Sequence, residues 1–457
     1  MRVQRTRPYG FLVAAICTAL LPAPAPAAGG PDENGITSPS IATSLPAGGD
    51  PAGIRAWLAG HGVIYRLIYT NDVLSNLQGG LRRGTVDQGK LEAILAADLG
   101  KAAGLQGLSF FTNIFALHNT GFIRRDYVGG INTIAEIEAV PTVRLSELWF
   151  QQELWNGRAN LRFGQLAADV EFFFSELSEG RFLQSDWPTI TAVDLPSGGP
   201  AYPLSTPGVR LKIEPTPDLS LLFAVFNGNP AGPGVPGEEQ FRNRYGLNFR
   251  VQDPAFMIAE GQFRRNQRPE DTGLATTLKV GAWSHLGEFD DLRFAFDGSL
   301  LADPSGLGLA ARRRGNWGVY GVVDQQLYRP KGGDAESGIS VFSRAGFSPS
   351  DRNLVDFFID GGIVFAGLVP SRPHDWFGAS VMYSRFSGAA RAFSQDLFAF
   401  TGEPGPALDF ETNLELTYVA QVIPGWTVQP DFQYIWHPSG DASLNAMVIG
   451  ARSIWRF

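Results

Sequence analysis

The stretch Trp426-Thr427-Val428-Gln429-Pro430-Asp431-Phe432-Gln433-Tyr434-Ile435-Trp436 decides the fold. Trp426, Val428, Phe432, Tyr434 and Trp436 fall on one parity, and Thr427, Gln429, Asp431 and Gln433 on the other. Successive side chains of a strand point to opposite faces, so this segment has one oily and one wet surface. The segment before it repeats the scheme, with Phe410, Leu414, Leu416 and Tyr418 against Glu411, Asn413, Glu415 and Thr417. Upstream, Val355, Phe357 and Ile359 oppose Asp356, Phe358 and Asp360. Trp317, Val319, Val323 and Leu327 oppose Tyr320, Asp324 and Gln326 in the same way.

A soluble sandwich also alternates. Three features favour a barrel in a membrane instead. Aromatic residues stand near strand ends as well as centres, as interfacial girdles require. The polar parity is rich in acids and amides, which suits an aqueous lumen. The chain ends Ser453-Ile454-Trp455-Arg456-Phe457, which resembles the terminal strand of bacterial outer-membrane barrels. Neutral overall hydropathy, 54 glycines and 33 phenylalanines fit a sheet with lipid on one side and water on the other.

The N-terminus reads as a signal peptide over residues 1–27. Arg2, Arg5 and Arg7 precede the short apolar run Phe11 to Leu21, and Ala25-Pro26-Ala27 offers a cleavage site. Cys17, the one cysteine, lies inside it, so the secreted chain is expected to carry no disulfide and no thiolate metal site. Loss of three arginines leaves 34 basic against 45 acidic side chains, a charge of −11. That balance argues against a nucleic-acid partner. Residues 28–61 are expected to be a flexible leader with a short periplasmic helix from Ala52 to Ala59, capped by Asp50 with Pro51 at its first position.

The barrel is expected over 62–457. Seventeen strand candidates occur, and bacterial single-chain barrels have an even number. Assigning 243–252 to a loop leaves an antiparallel transmembrane β-barrel of sixteen strands, with eighteen the alternative count. The expected starts lie near 62, 84, 105, 143, 158, 206, 219, 255, 274, 315, 338, 353, 375, 409, 426 and 444. Placing both ends in the periplasm puts the long segments 118–142, 170–205, 228–254, 288–314 and 388–408 outside.

Phe410-Glu411, Tyr418, Ile423-Pro424-Gly425-Trp426, Gln429-Pro430-Asp431-Phe432-Gln433-Tyr434-Ile435, His437-Pro438 and Gly450-Ala451-Arg452 resemble the C-terminal signature of the carbohydrate-selective porin (OprB) family. Gly53-Ile54-Arg55, Gly79-Gly80, Lys279 to Trp283, Asp324-Gln325 and Arg372 to Asp375 fit it as well. Gly48-Gly49-Asp50-Pro51 departs from it, standing where a Trp-containing opening is expected. The resemblance covers about 50–457. It implies a sixteen-stranded outer-membrane barrel of a Gram-negative bacterium that passes glucose and related sugars.

A sugar channel needs a narrow waist of hydroxyl-matching groups rather than a nucleophile. In sixteen-stranded porins the loop after the fifth strand commonly folds inward, here 170–205, with Glu176, Arg181, Asp186 and Trp187 as candidate lining residues. Arg158, Arg162, Glu411, Glu415, Asp431 and Arg452 are the candidates on the wall. Small sugars or polyols and outer-membrane lipid are the expected partners, with monomer and homotrimer both open. No cofactor or metal is implied. The five histidines show no ligand spacing, and neither His-Glu-x-x-His nor Gly-x-Ser-x-Gly occurs. Two other readings stay open: a plugged barrel acting as surface scaffold or adhesin, and an outer-membrane hydrolase.

Overall fold

A computed structural model describes residues 31–457 apart from 33, 269 and 403–407. The expected signal peptide lies outside the described residues. Sixteen strands follow one another: β1 Val63–Gly79, β2 Gly84–Asp98, β3 Leu108–Asn119, β4 Thr142–Leu154, β5 Ala159–Leu166, β6 Thr206–Thr216, β7 Leu219–Asn227, β8 Ala255–Arg265, β9 Thr276–Ala295, β10 Ala310–Tyr328, β11 Gly338–Phe347, β12 Val355–Ala366, β13 Trp376–Phe386, β14 Phe410–Ile423, β15 Trp426–Trp436 and β16 Asn445–Arg456. Each pairs antiparallel with its neighbours, and β16 returns to β1 to close the barrel. Closure leaves no unpaired edge, which a hydrocarbon environment demands. No helix among the described residues is long and apolar enough to cross a membrane.

The facing of the strands inverts that of a soluble protein. Asp72, Arg144, Lys279, Arg344, Glu411, Glu415 and Arg452 are buried inside, while Leu67, Val73, Phe223, Val280, Trp317 and Leu416 are exposed outside. Aromatic pairs mark both rims. Trp426 stacks near Trp455, and Trp455 near Tyr69, at the end carrying both termini of the barrel. Phe347, Phe357, Tyr383 and Phe410 form a chain of ring contacts at the other.

Several local features differ from the expectation. The N-terminal helix begins at Ile54 and runs to Gly60, because Ala52 and Gly53 take positive φ. Asp50 still caps it, accepting the N–H groups of Arg55 and Ala56 at 2.8 and 3.0 Å. Within the leader, Ile36, Ser40 and Ala42 are buried, and the backbone at Ser40–Ile41 lies against Gly425. A bulge between Val355 and Phe357 turns both Val355 and Asp356 inward. β9 and β10 extend well into the expected outer segment 288–314, and a helix, Gly388–Thr401, forms the first part of the expected outer segment 388–408. That helix is tied to β9 by Arg293 and Asp396 at 2.8 Å. Segment 243–252 forms no strand. It runs beside the upper part of β4, where Leu145 donates its N–H to the Tyr245 carbonyl at 3.0 Å.

Candidate solute passage

β5 has only eight residues, so the chain leaves the wall early and 167–205 turns into the bore. Irregular backbone there has no ladder partners and must be satisfied by side chains. Carboxylates of the wall do this. Glu260 accepts the N–H of Phe173 at 2.9 Å, Asp324 that of Glu176 at 3.0 Å, and Glu415 those of Leu183 and Gln184 at 2.7 and 2.9 Å. Wall donors meet the carbonyls: Lys279 reaches Phe174 at 2.8 Å, Gln429 reaches Arg181 at 2.6 Å, and Arg344 reaches Asp186 at 3.2 Å.

The segment after β3, expected as an outer loop, also folds inward. Glu411 accepts the N–H groups of Ile131 and Asn132, both at 2.8 Å, and Gln433 donates to the Ile134 carbonyl at 2.8 Å. Ile123, Val128 and Ile134 are buried with it.

Aromatic packing fills one side of the lumen. Phe173 stacks on Tyr320 at 4.1 Å and meets Trp187 and Phe358 edge-on at 6.5 and 6.3 Å. The Tyr320 hydroxyl donates to Glu260 at 2.7 Å. Offset and edge-on contacts of this kind add to the burial of the rings themselves.

Two arginines each bind a wall carboxylate and a loop carboxylate. Arg344 holds Asp360 at 2.6 Å and Glu179 at 2.9 Å. Arg452 holds Asp72 at 2.7 Å and Glu136 at 2.5 Å. Arg162 and Arg210 share Glu171 at 3.0 and 2.6 Å. Burial opposes the charge on Glu171, but the two guanidinium groups prevail and hold its pKa at about 2. Burial dominates elsewhere in the loops. It pushes Glu179 up to about 7 against Arg344, and Asp169 up to about 6 against the N–H of Tyr202. Asp186 rises too, through burial and the nearby charges of Asp169 and Glu179.

An open cavity of about 320 Å³ remains, lined by β1–β4 and by residues of β13–β16. Lys90 lines it, its ammonium lying 5.0 Å from the Phe115 ring and 5.1 Å from the Tyr202 ring. Glu92, Glu136, Glu147, Asp169, Glu179 and Asp186 line the same cavity. At the end that carries both termini of the barrel the lining changes to Arg66, Arg456, His374, Gln421 and the leader residues Thr37 to Pro39.

Of the residues expected from sequence, Asp186 lines this cavity. Trp187 is buried in the aromatic wedge. Arg158 is exposed in the turn before β5, one residue short of the strand. Glu176 lies between Arg264 at 2.5 Å and Lys279 at 3.3 Å. Arg181 is 3.5 Å from Glu336. Glu411 and Glu415 seat the two inward segments, Asp431 accepts from Gln433 at 3.0 Å, and Arg162 and Arg452 sit in ion pairs. Sequence reasoning missed Lys90, Glu92, Asp169 and Tyr202. Lys90 and Glu92 stand on the polar parity of β2, opposite Leu91, and that alternation was the available signal.

A closed sixteen-stranded barrel with lipid-matched walls and a loop-narrowed opening is an outer-membrane diffusion channel. Residues 82–457 match the carbohydrate-selective porin, OprB family, and the chain belongs to that family. Porin B of Pseudomonas aeruginosa is 24% identical over 431 residues, covering 88% of this chain and 89% of the relative. The high-pH structure of Pseudomonas putida OprB superposes with a TM-score of 0.77 at 23% identity, covering 89% of this chain and 96% of the other. The low-pH structure of the same protein gives 0.53 at 18% identity, covering 90% and 97%. This chain is an outer-membrane porin of the carbohydrate-selective class.

Proposed function

We propose that small neutral sugars and polyols diffuse through the cavity lined by β1–β4 and β13–β16, with Phe115, Tyr202 and Lys90 as the main contact group. The observation that carries this is the pairing of two aromatic rings, 5.6 Å apart, with a cation and surrounding carboxylates in one open space. A sugar presents C–H faces to rings and hydroxyls to charged groups, so this set matches both. Few of these contacts act on a solute at once, which keeps binding weak enough for release. Among the sequence candidates, Asp186 acts on the solute. Arg162, Glu176, Arg181, Glu411, Glu415 and Arg452 act through the loops they hold, and Asp431 supports the wall beside them. Trp187 fixes the loop's packed side.

Liposome swelling with a panel of sugars tests this. Glucose and polyols should enter quickly, and Tyr202→Ala should weaken block of ion current by added sugar. Absence of swelling for any sugar would overturn the reading.

A further inference from the structure

We propose that the passage rejects ions of both signs because it carries two oppositely charged zones in series. The inference rests on the sugar route proposed above and adds its charge selectivity.

The first zone gathers Glu92, Glu136, Glu147, Asp169, Glu179 and Asp186; burial leaves Glu179, pushed up to about 7, only partly charged at neutral pH and favours the neutral form of Asp186. Two arginines reach this zone from behind, and each is shared. Arg452 serves Asp72 as well as Glu136, and Arg344 serves Asp360 as well as Glu179. Each such triad keeps a surplus of carboxylate. Lys90 offsets part of the rest.

The second zone lies at the periplasmic end. Arg66 is the fourth residue of β1, and Arg456 is the last residue of β16. Both line the cavity, and among the described residues neither guanidinium has a hydrogen bond or ion pair, though the charge of Glu92, across the β1–β2 pair, acts on Arg66. His374 stands at the same end. The terminal residue Phe457 is there too, its backbone oxygen accepting the Leu67 N–H at 3.1 Å. Thr37, Ser38 and Pro39 narrow this end from the leader, which is seated by the close approach of Ser40 and Ile41 to Gly425.

A cleft with low-dielectric walls focuses the field of its charges. An anion therefore meets repulsion at the carboxylate zone, and a cation meets it at Arg66 and Arg456. A neutral solute meets neither. Selection for sugar over salt then follows from the order of charges along the route, without tight binding.

Reversal potentials in planar bilayers under a salt gradient test this on the full secreted chain. The wild type should show weak selectivity. The double variant Arg66→Gln/Arg456→Gln should become cation-selective by roughly tenfold, in line with the local enrichment that focused fields produce. Glu92→Gln/Asp169→Asn should move the other way. Unchanged reversal potentials in both variants, with sugar swelling intact, would overturn the filter and leave the sugar route standing. Loss of swelling in the wild type would instead overturn the route. A second measurement does not depend on those variants folding. The only cysteine of the chain is Cys17, so Ser38→Cys in a Cys17→Ser background gives one reactive site. Added from the periplasmic side, a negatively charged methanethiosulfonate should label it faster than a positively charged one and reduce conductance. Equal rates, or labelling without an effect on conductance, would overturn the proposal.

Discussion

The Glu415 carboxylate, on one wall of the barrel, accepts the N–H of Leu183 at 2.7 Å from a loop that entered from the opposite side of the sequence. The same carboxylate takes the N–H of Gln184 at 2.9 Å. Glu415→Ala leaves two buried donors without a partner, at about 1–3 kcal/mol each. The barrel should stay closed by heat-modifiability on gels. Single-channel recordings should show a noisier and larger conductance. A quiet trace of wild-type amplitude would mean the loop is held by other contacts.

Glu171 should set an acid limit on the seat of the loop. Its pKa is about 2 in the folded chain against an ordinary 4.5, so its tie to Arg162 and Arg210 is complete above the ordinary value. The tie is lost as pH falls from about 4.5 through about 2. Current noise in the wild type should rise in that window. Glu171→Gln should be noisy at neutral pH and show no further rise there.

Gly425 carries a φ of +83°, and a Cβ there would stand 2.3 Å from the Ile41 nitrogen. Gly425→Val should displace the leader from the periplasmic mouth. Conductance should increase, and residues 36–41 should become sensitive to added protease. Unchanged conductance would show that the leader does not narrow the exit.

Lys279 and Val280 are adjacent and face opposite ways, the lysine buried toward Glu176 and the valine 73% exposed. Val280→Lys should cost about 2–4 kcal/mol if it sits at mid-depth in the bilayer. Urea midpoints of refolding into vesicles would measure the loss. Lys279→Met should leave the barrel closed and loosen the loop instead, since the Phe174 carbonyl loses its donor even though Arg264 remains as the partner of Glu176.

The strands were legible because lipid outside and water inside impose period two on every one of them. Segment 243–252 mimicked a strand for a physical reason. Tyr245, Leu247, Phe249 and Val251 are exposed on the outside, beside the part of β4 that the short β5 leaves uncovered. What stayed hidden is long-range. Phe111, Trp149 and Tyr320 stand on the wet parity yet are buried, because they pack with inward backbone and with each other. Glu411 and Glu415 read as lining residues, but acids that meet solute and acids that meet a loop N–H look alike in a sequence. Asp169 lies in a loop without periodicity, so nothing local marked it.

The inward segments are gripped by their main chain at Ile131, Asn132, Phe173, Glu176, Leu183 and Gln184. A grip on peptide groups is indifferent to most side chains the segment carries. Mutation can therefore rewrite what a passing molecule encounters while the scaffold beneath keeps its shape. Such a design separates durability from taste, and lets one barrel be retuned for a new nutrient by a handful of replacements.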